Sequence, residues 1–402
     1  MMHRSRLSAR TLAAVFRLPV PTRRTIAEHL DVSHVTLGKA LQELEASGEI
    51  FSSEALLSTG SGRPSEVFSI RPDVIYGIGI YLQPDGARAV LIDAGKRSVG
   101  EWTLALSNRY RQLDEVEKVL EDVLVWSMDR ASVLVDTSAI GSVAFSVPGF
   151  VDTDRCVWTA GLQFGGFSDL DVRALLADRF PTAIHIEDTS RSLTHYQLMH
   201  EETVDTTGSF IVINLGIGLG AGIVVDGSVF FGNGGIAGEI GHIPLANNTN
   251  RCACGNVGCT ETVLSATGIR NVFYQRLQHG VRSGLNDRPH PENPPTIREI
   301  LASAEAGDHF TLITLRELGS MLGDLVDIVL KCHTPGPIVL AGEGSLLSAY
   351  LIPSMEQTLR ARVLPEMLRH FTVVVQPYGS TNEAMGAGYL GMMRTLLMHV
   401  DI

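Results

Sequence analysis

Long apolar runs are absent from these 402 residues. Charge or glycine breaks each one well before the ~18 residues that a membrane-crossing helix needs, so no span is expected. Lysine is scarce: the 32 basic residues are 28 arginines and 4 lysines, a compositional bias with no mechanistic reading. Cysteine is scarce too. Five in a chain of this length do not make a disulfide framework, and three of them fall within eight residues, which points to a metal in a reducing cytoplasm. Acidic residues are missing from the first 27 positions, where six arginines stand. The basic N-terminus MMHRSRLSARTLAAVF lacks the continuous apolar stretch of a signal peptide and reads as an amphipathic helix. Hydrophobic residues at 45% and charged residues at 19% exclude a disordered chain. The net charge of −12 excludes a whole-surface nucleic-acid coat, though not a local basic module. At about 100–200 residues per domain, the length implies two or three domains.

Charge divides what is present. Residues 1–72 hold nine Lys/Arg against seven Asp/Glu, a net +2, which leaves −14 on the remainder. Within that head, Thr22 can cap a helix carrying Ile26, Ala27 and Leu30 on one face. Asp31-Val32 is a short turn, and Ser33 can cap a second helix whose apolar face is Leu37, Ala40, Leu41 and Leu44. Helix, tight turn and helix with a polar first turn make a helix-turn-helix. Ile50-Phe51 and Val67-Phe68 read as two strands around a glycine-rich tip, Gly60 to Pro64, which bears Arg63; this is the winged variant. The expected DNA contacts are Arg23 and Arg24 on phosphate, Ser33, His34, Thr36 and Lys39 on base edges, and Arg63 in or near the minor groove. A helical hairpin for protein contacts is the blander alternative.

Beyond a linker at Arg71-Pro72, strand-like runs alternate with helical ones, as in an α/β protein with mixed sheets. Strands are expected over 74–82, 87–93, 139–149, 183–188, 209–216, 220–227, 337–342 and 371–377. Helices are expected over 113–130, 168–179, 188–200, 263–278, 308–332 and 382–398. Hairpins near 75–95 and 209–229 suggest a duplicated, two-lobed body. Residues 279–297 read as a surface loop. The helix over 308–332 and the one ending near Met398 are candidate subunit-interface material, and Cys156 and Cys332 are expected to be buried core thiols.

The sharpest local signal is GEIGHIPLANNTNRCACGNVGCTE, residues 238–261. His242, Cys252, Cys254 and Cys259 form a Cys3His set, the donors of a closed, tetrahedral and therefore structural zinc site. Gly255 and Gly258 let the backbone curl so that the thiolates converge. Glu239, Glu261 and Asp188 are acids suited to accepting hydrogen bonds from sugar hydroxyls, with the first two held beside the zinc loop.

These residues resemble the ROK family of repressors, open reading frames and sugar kinases, over nearly the whole chain. The pattern G-H, nine residues, C-x-C-G-x-x-G-C-x-E runs from Gly241 to Glu261 without gaps. VPGFVD (147–152) and INLGIGLGAGIVVDGSVFFGNGGIAGEIGH are similar to the family's PG stretch and second phosphate segment, and the winged head with a G-x-GRP tip looks like the repressor branch. The resemblance implies an actin-like (ribonuclease H-like) body, two α/β lobes around a cleft, assembled as dimers or tetramers. The implied domains are a winged helix-turn-helix over 1–72, a first lobe over 73–187 completed by 382–402, and a second lobe with the zinc element over 188–381. The implied sugar contacts are Asp188, Glu239, His242 and Glu261, with Gly149 nearby. Asp188 falls at the kinase base position, and Glu187, which replaces the asparagine that usually precedes it, is a further expected ligand-binding residue.

Departures from the kinase pattern decide the expected function. The D-x-G-G-T phosphate turn aligns with Tyr81, Gln83, Pro84 and Asp85. Pro84 has no N–H to offer a phosphate, and Asp85 repels one. The second segment reads Gly216-Ile217-Gly218, without a hydroxyl, and the adenosine-side glycine pair becomes Ala341-Gly342-Glu343. The expectation is therefore a cytoplasmic, non-enzymatic, sugar-responsive repressor that binds a double-stranded operator as a homodimer or homotetramer, with structural Zn2+ and no membrane association. A sugar kinase with an accessory DNA-binding head is the alternative, and control by a regulatory protein partner is a third.

Overall fold

A computed structural model describes residues 5–55, 65–106, 112–180, 183–200, 208–290, 292–333 and 336–398. They form two compact units. The first comprises Met1–Asp188, Leu198–His200 and Thr381–Ile402, and the second Thr189–Gln197 and Glu201–Ser380. The head expected over 1–72 thus clusters with the first lobe.

The head contains α1 (Arg6–Arg17), α2 (Arg23–Leu30), α3 (His34–Ala46) and an antiparallel pair, β1 (Ile50–Ala55) and β2 (Ser65–Ile70). Thr22 closes a capping box with Thr25 at the start of α2, and Asp31 ends that helix in the left-handed region at φ 52°. Ser33 caps α3 through the Thr36 N–H. Ile26, Ala27 and Leu30 on α2, and Leu37, Ala40, Leu41 and Leu44 on α3, are all buried as their spacing requires. The tip bearing Arg63 lies outside the described residues. Helix α1 is sunk deeper than amphipathic patterning suggests, with Ala9 and Leu12 fully buried and Phe16 nearly so.

One face of α1 meets α3, and another meets the chain's last helix, α13 (Asn382–Met398). Phe16 lies edge-on to Tyr389, centroids 6.4 Å apart. The Lys96 ammonium sits 5.4 Å from the Phe16 ring centre, and the Tyr389 hydroxyl donates to the Lys96 carbonyl at 3.1 Å. Helix α13 is therefore core rather than subunit-interface material: most of it is buried on the first-lobe sheet and α1.

That sheet holds β3 (Tyr76–Gln83), β4 (Gly86–Asp93), β5 (Ser98–Ala105), β6 (Ile140–Val147) and β10 (Ala183–Asp188), in the order β10-β6-β3-β4-β5. The β3-β4-β5 meander is antiparallel, while β6 and β10 run parallel to β3. Helix α13 approaches so closely that a Cβ on Gly79 would overlap the Ala384 carbonyl, which explains a glycine in the middle of a central strand. A small sheet of β7 (Phe150–Asp152), β8 (Val157–Ala160) and β9 (Ser168–Asp171), with α4 (Leu113–Ala131) and α5 (Val172–Ala177), completes the lobe. The helix expected over 168–179 is thus half strand, because Asp171 caps α5 and confines the helix to the residues after it.

Helix α6 (Thr189–His200) follows Asp188. The second sheet contains β11 (Phe210–Leu215), β12 (Leu219–Val225), β13 (Ser228–Phe230), β14 (Pro337–Ala341) and β15 (Thr372–Val375), ordered β13-β12-β11-β14-β15. In both sheets the first strand is central, the second and third form a meander on one side, and the fourth and fifth run parallel to it on the other. The duplication suggested by the two hairpins is therefore one of full topology. Ser265 divides the expected 263–278 helix into α7 (Glu261–Leu264) and α8 (Ala266–Gln278) by capping the second. The remaining helices are α9 (Ile297–Glu305), α10 (His309–Cys332), α11 (Ser348–Arg362) and α12 (Pro365–Leu368). Helix α11, which carries an internal Pro353, was not expected; it packs along α10. The loop expected over 279–297 contains a short 3-10 turn at Gly284–Asp287 and ends in the first residue of α9. Cys156 is buried, but Cys332 is exposed, because it falls at the solvent end of α10. Among the described residues no helix is long and apolar enough to cross a membrane.

Candidate functional site

In the second unit the fold brings His242, Cys252, Cys254 and Cys259 together, with their ligand atoms all within 4.8 Å of one another. His242 ends a 3-10 turn, Ile240–His242. The segment that follows folds back on itself through bridges from Pro244 to Cys259 and from Arg251 to Val257. Gly255 (φ 93°) and Gly258 (φ 89°) make the two reversals. Asn248 pins the loop by donating its side-chain N–H to the Cys259 carbonyl at 3.0 Å and to Thr262 Oγ1 at 2.9 Å. Asn248 carries no signal in the sequence beyond its place in an Asn-rich turn.

The geometry fits zinc. Tetrahedral coordination at Zn–S of about 2.3 Å separates two sulfurs by about 3.8 Å. Cys254 Sγ and Cys259 Sγ are 3.7 Å apart, and Cys252 Sγ is 3.7 Å from His242 Nδ1. The four donors are thus compatible with a structural zinc site, and they leave no coordination position for chemistry. Burial, and then a 2.8 Å hydrogen bond to Glu261 Oε1, push the Cys252 thiol up, so metal binding would have to release that proton.

Two expected sugar residues flank this cluster. Glu239 Oε2 is 3.7 Å from His242 Nε2, and Glu261 Oε1 is 3.9 Å from Nδ1. The imidazole therefore has one nitrogen toward the thiols and the other toward Glu239.

The other three lie in the first unit. Asp188 ends β10 and pairs in register with Val147, the last residue of β6. Gly149 follows two residues later, so both stand at the carboxyl ends of neighbouring parallel strands, where open α/β sheets bind ligands. Gly149 has φ 107°, and a Cβ there would overlap the Ala160 carbonyl. Glu187 is fully buried: Thr153 Oγ1 and the Asp188 N–H both donate to its Oε1 at 2.9 Å. Glu187 thereby positions the backbone of Asp188, a role that sequence reasoning did not assign, and Thr153 was missed altogether.

Pro84-Asp85 forms the two-residue turn between β3 and β4. Gln83 donates to the Tyr81 hydroxyl at 2.7 Å and accepts from Arg88 at 3.1 Å, so polar side chains tie up the base of this hairpin. In the second unit the Gly216 carbonyl accepts the Ala266 N–H at 2.7 Å, and Asn214 packs where a Cβ on Gly342 would stand. Those glycines have a packing role irrespective of any phosphate.

In the head, Ser33, His34, Thr36 and Lys39 are all exposed. Arg24 pairs with Glu28 at 2.8 Å. Arg23 reaches Glu66 at 3.5 Å and lies 5.9 Å from the centre of the Phe68 ring. The two arginines are held in place by neighbours, and both remain at the surface.

A family model described as the ROK family matches residues 101–393. The N-acetylglucosamine repressor of Escherichia coli O6:H1 is 27% identical over 90% of this chain and 87% of its own. A crystal structure of a ROK family transcriptional regulator, a homologue of the E. coli MLC protein, matches with a TM-score of 0.78 at 22% identity, covering 98% of both chains. A ROK family glucokinase from Streptomyces griseus matches with a TM-score of 0.67 at 20% identity, covering 79% of this chain and 99% of its own. These likenesses carry the actin-like fold of the body, and both regulators and kinases share it.

Proposed function

Because this chain belongs to the ROK family, we propose that it is a DNA-binding transcriptional regulator of carbohydrate metabolism, a repressor whose operator affinity responds to a bound sugar or sugar derivative. The observation that carries this reading is the capped, exposed first turn of α3 in a basic-led head. About a fifth of the chain has no counterpart in the glucokinase, and the head is of that size. The regulator structure covers nearly all of it. Phosphate contacts from Arg23 and Arg24 supply affinity, Arg63 enters or lies near the minor groove, and the first turn of α3 and Lys39 supply selectivity.

The effector-contact candidates are Asp188, held by Glu187, and Gly149 in the first unit, and Glu239, His242 and Glu261 in the second. Zinc on His242, Cys252, Cys254 and Cys259 fixes the segment carrying Glu239 and Glu261 and supplies no reaction. The protein works in the cytoplasm as a homodimer or homotetramer on a palindromic site. A kinase would need backbone donors that Pro84 does not have, and it would put Asp85 against the phosphate.

Selection of genomic fragments on the zinc-loaded protein, followed by release with candidate sugars, tests this reading. Fragments near sugar transport or catabolic genes should be enriched. Asp188→Ala should retain them and lose the response to sugar. Loss of operator binding in a folded Asp188→Ala protein would count against the division of labour. Steady ADP release with any hexose would favour the kinase.

A further inference from the structure

The base-reading residues named so far are polar, and the structure changes which of them are available. Ser33 Oγ accepts the Thr36 N–H at 3.1 Å and lies 2.8 Å from Thr36 Oγ1, so the cap and the contact between them take up one of the two hydroxyl protons and part of the acceptor capacity. Beside these hydroxyls the first turn of α3 also exposes His34 and Val35, with Lys39 one turn further on. Val35 is 77% exposed, the most exposed large apolar side chain among the described residues of the head. A β-branched residue there gains no packing, and it has lower helix propensity than alanine. Single exposed apolar residues are common on protein surfaces, so exposure alone assigns nothing.

Position and charge select an occupant. The N-terminal residues of a recognition helix are those that meet base edges in the major groove. The first turn of α3 has no acid, and its helix dipole presents positive potential there. Its acids, Glu43 and Glu45, stand in the far half, where Glu43 already accepts the Ser8 hydroxyl at 2.7 Å. A polyanion is therefore drawn to the end of the helix that carries Val35. The one apolar group on the major-groove floor is the thymine C5 methyl.

We propose that Val35 is a specificity-determining residue that reads a thymine methyl in each operator half-site. This inference rests on the head being a DNA reader.

The test uses the full-length, zinc-loaded protein and a genomically selected operator in which thymines are replaced one at a time by deoxyuridine, which removes only the methyl. At one position per half-site the wild type should lose about three- to tenfold in affinity, the order of one buried methyl group. Val35→Ser should lose a similar factor on the thymine operator and become insensitive to uracil at that position. Val35→Ala should lie between, with unchanged helicity and zinc content. Sequence-selective binding that no thymine-to-uracil change weakens, or equal uracil sensitivity in wild type and Val35→Ser, overturns the Val35 assignment alone. Failure to select any fragment at low salt overturns the regulator reading, and this proposal with it.

Discussion

The head and the metal-ligand element hold their shapes by opposite means. In the head, Leu12, Ile26, Leu37, Leu41 and Phe68 are fully buried against one another's elements. In the element, Cys252 is the only buried residue between positions 246 and 257. The head rests on apolar transfer, which each large side chain supplies at about 1.5–3 kcal/mol. The loop has almost no interior and rests on four donors converging on one point, assisted by Asn248. Spacing alone was informative in both regions, but the periodicity of a helix face and the interval between thiols report different forces.

The largest expected effect that could break this contrast comes from Cys259→Ser. Binding free energy at structural zinc sites is of order 10–16 kcal/mol and doubles as folding energy. Zinc content should fall from one per chain to none, and the amides of residues 245–258 should lose protection in hydrogen exchange, with the head still protected. Persistent protection of the loop would mean that something other than metal holds it. Next in size is Leu41→Ala, expected to destabilise the head by about 2–5 kcal/mol and abolish operator binding while zinc content stays at one per chain. Loss of zinc in that variant would show the two regions to be coupled.

The smallest effect concerns Lys96. Burial holds this ammonium below its ordinary 10.5, down to about 8. At pH 7 it is charged in both the folded and unfolded chain, and the burial penalty is felt in full. Between about pH 8 and 10.5 the folded state gives up its proton first, so stability should rise with pH across that window. Lys96→Met should remove the rise and stabilise the protein at pH 7 by about 1 kcal/mol, because the site is only partly shielded from solvent. Denaturant titrations at pH 7 and 9.5 decide this.

Much of this molecule was legible in its residues. Thr22, Asp31 and Ser33 announce the helix-turn-helix because caps and turns are local chemistry. His242 and the three cysteines announce the cluster of potential metal ligands because ligand spacing is local too. The illegible features depend on distant partners. Glu187 reads in the sequence only as a ligand candidate, and the hydrogen bond it accepts from Thr153, 34 positions away, has no local signal. Helix α13 reads as a surface element until α1 is seen covering it. Helix α11 is obscured by Pro353, whose local preference is overridden by packing on α10. Ser33 and Thr36 read as two base contacts, yet their hydroxyls face each other.

The packing of α1 on α13 has a consequence for how such proteins diversify. A cut at residues 71–72 would look like a clean seam for exchanging one reading head for another. Across that seam, however, Phe16 near the start of the chain rests on Tyr389 near its end and on Lys96. A graft that brought in a foreign α1 would strand an aromatic ring and an ammonium with no complementary surface. The first and last helices are therefore expected to be inherited together. Chimeras between relatives should work when both ends come from one parent, and the head should change its DNA preference by substitution within α3 more readily than by wholesale exchange.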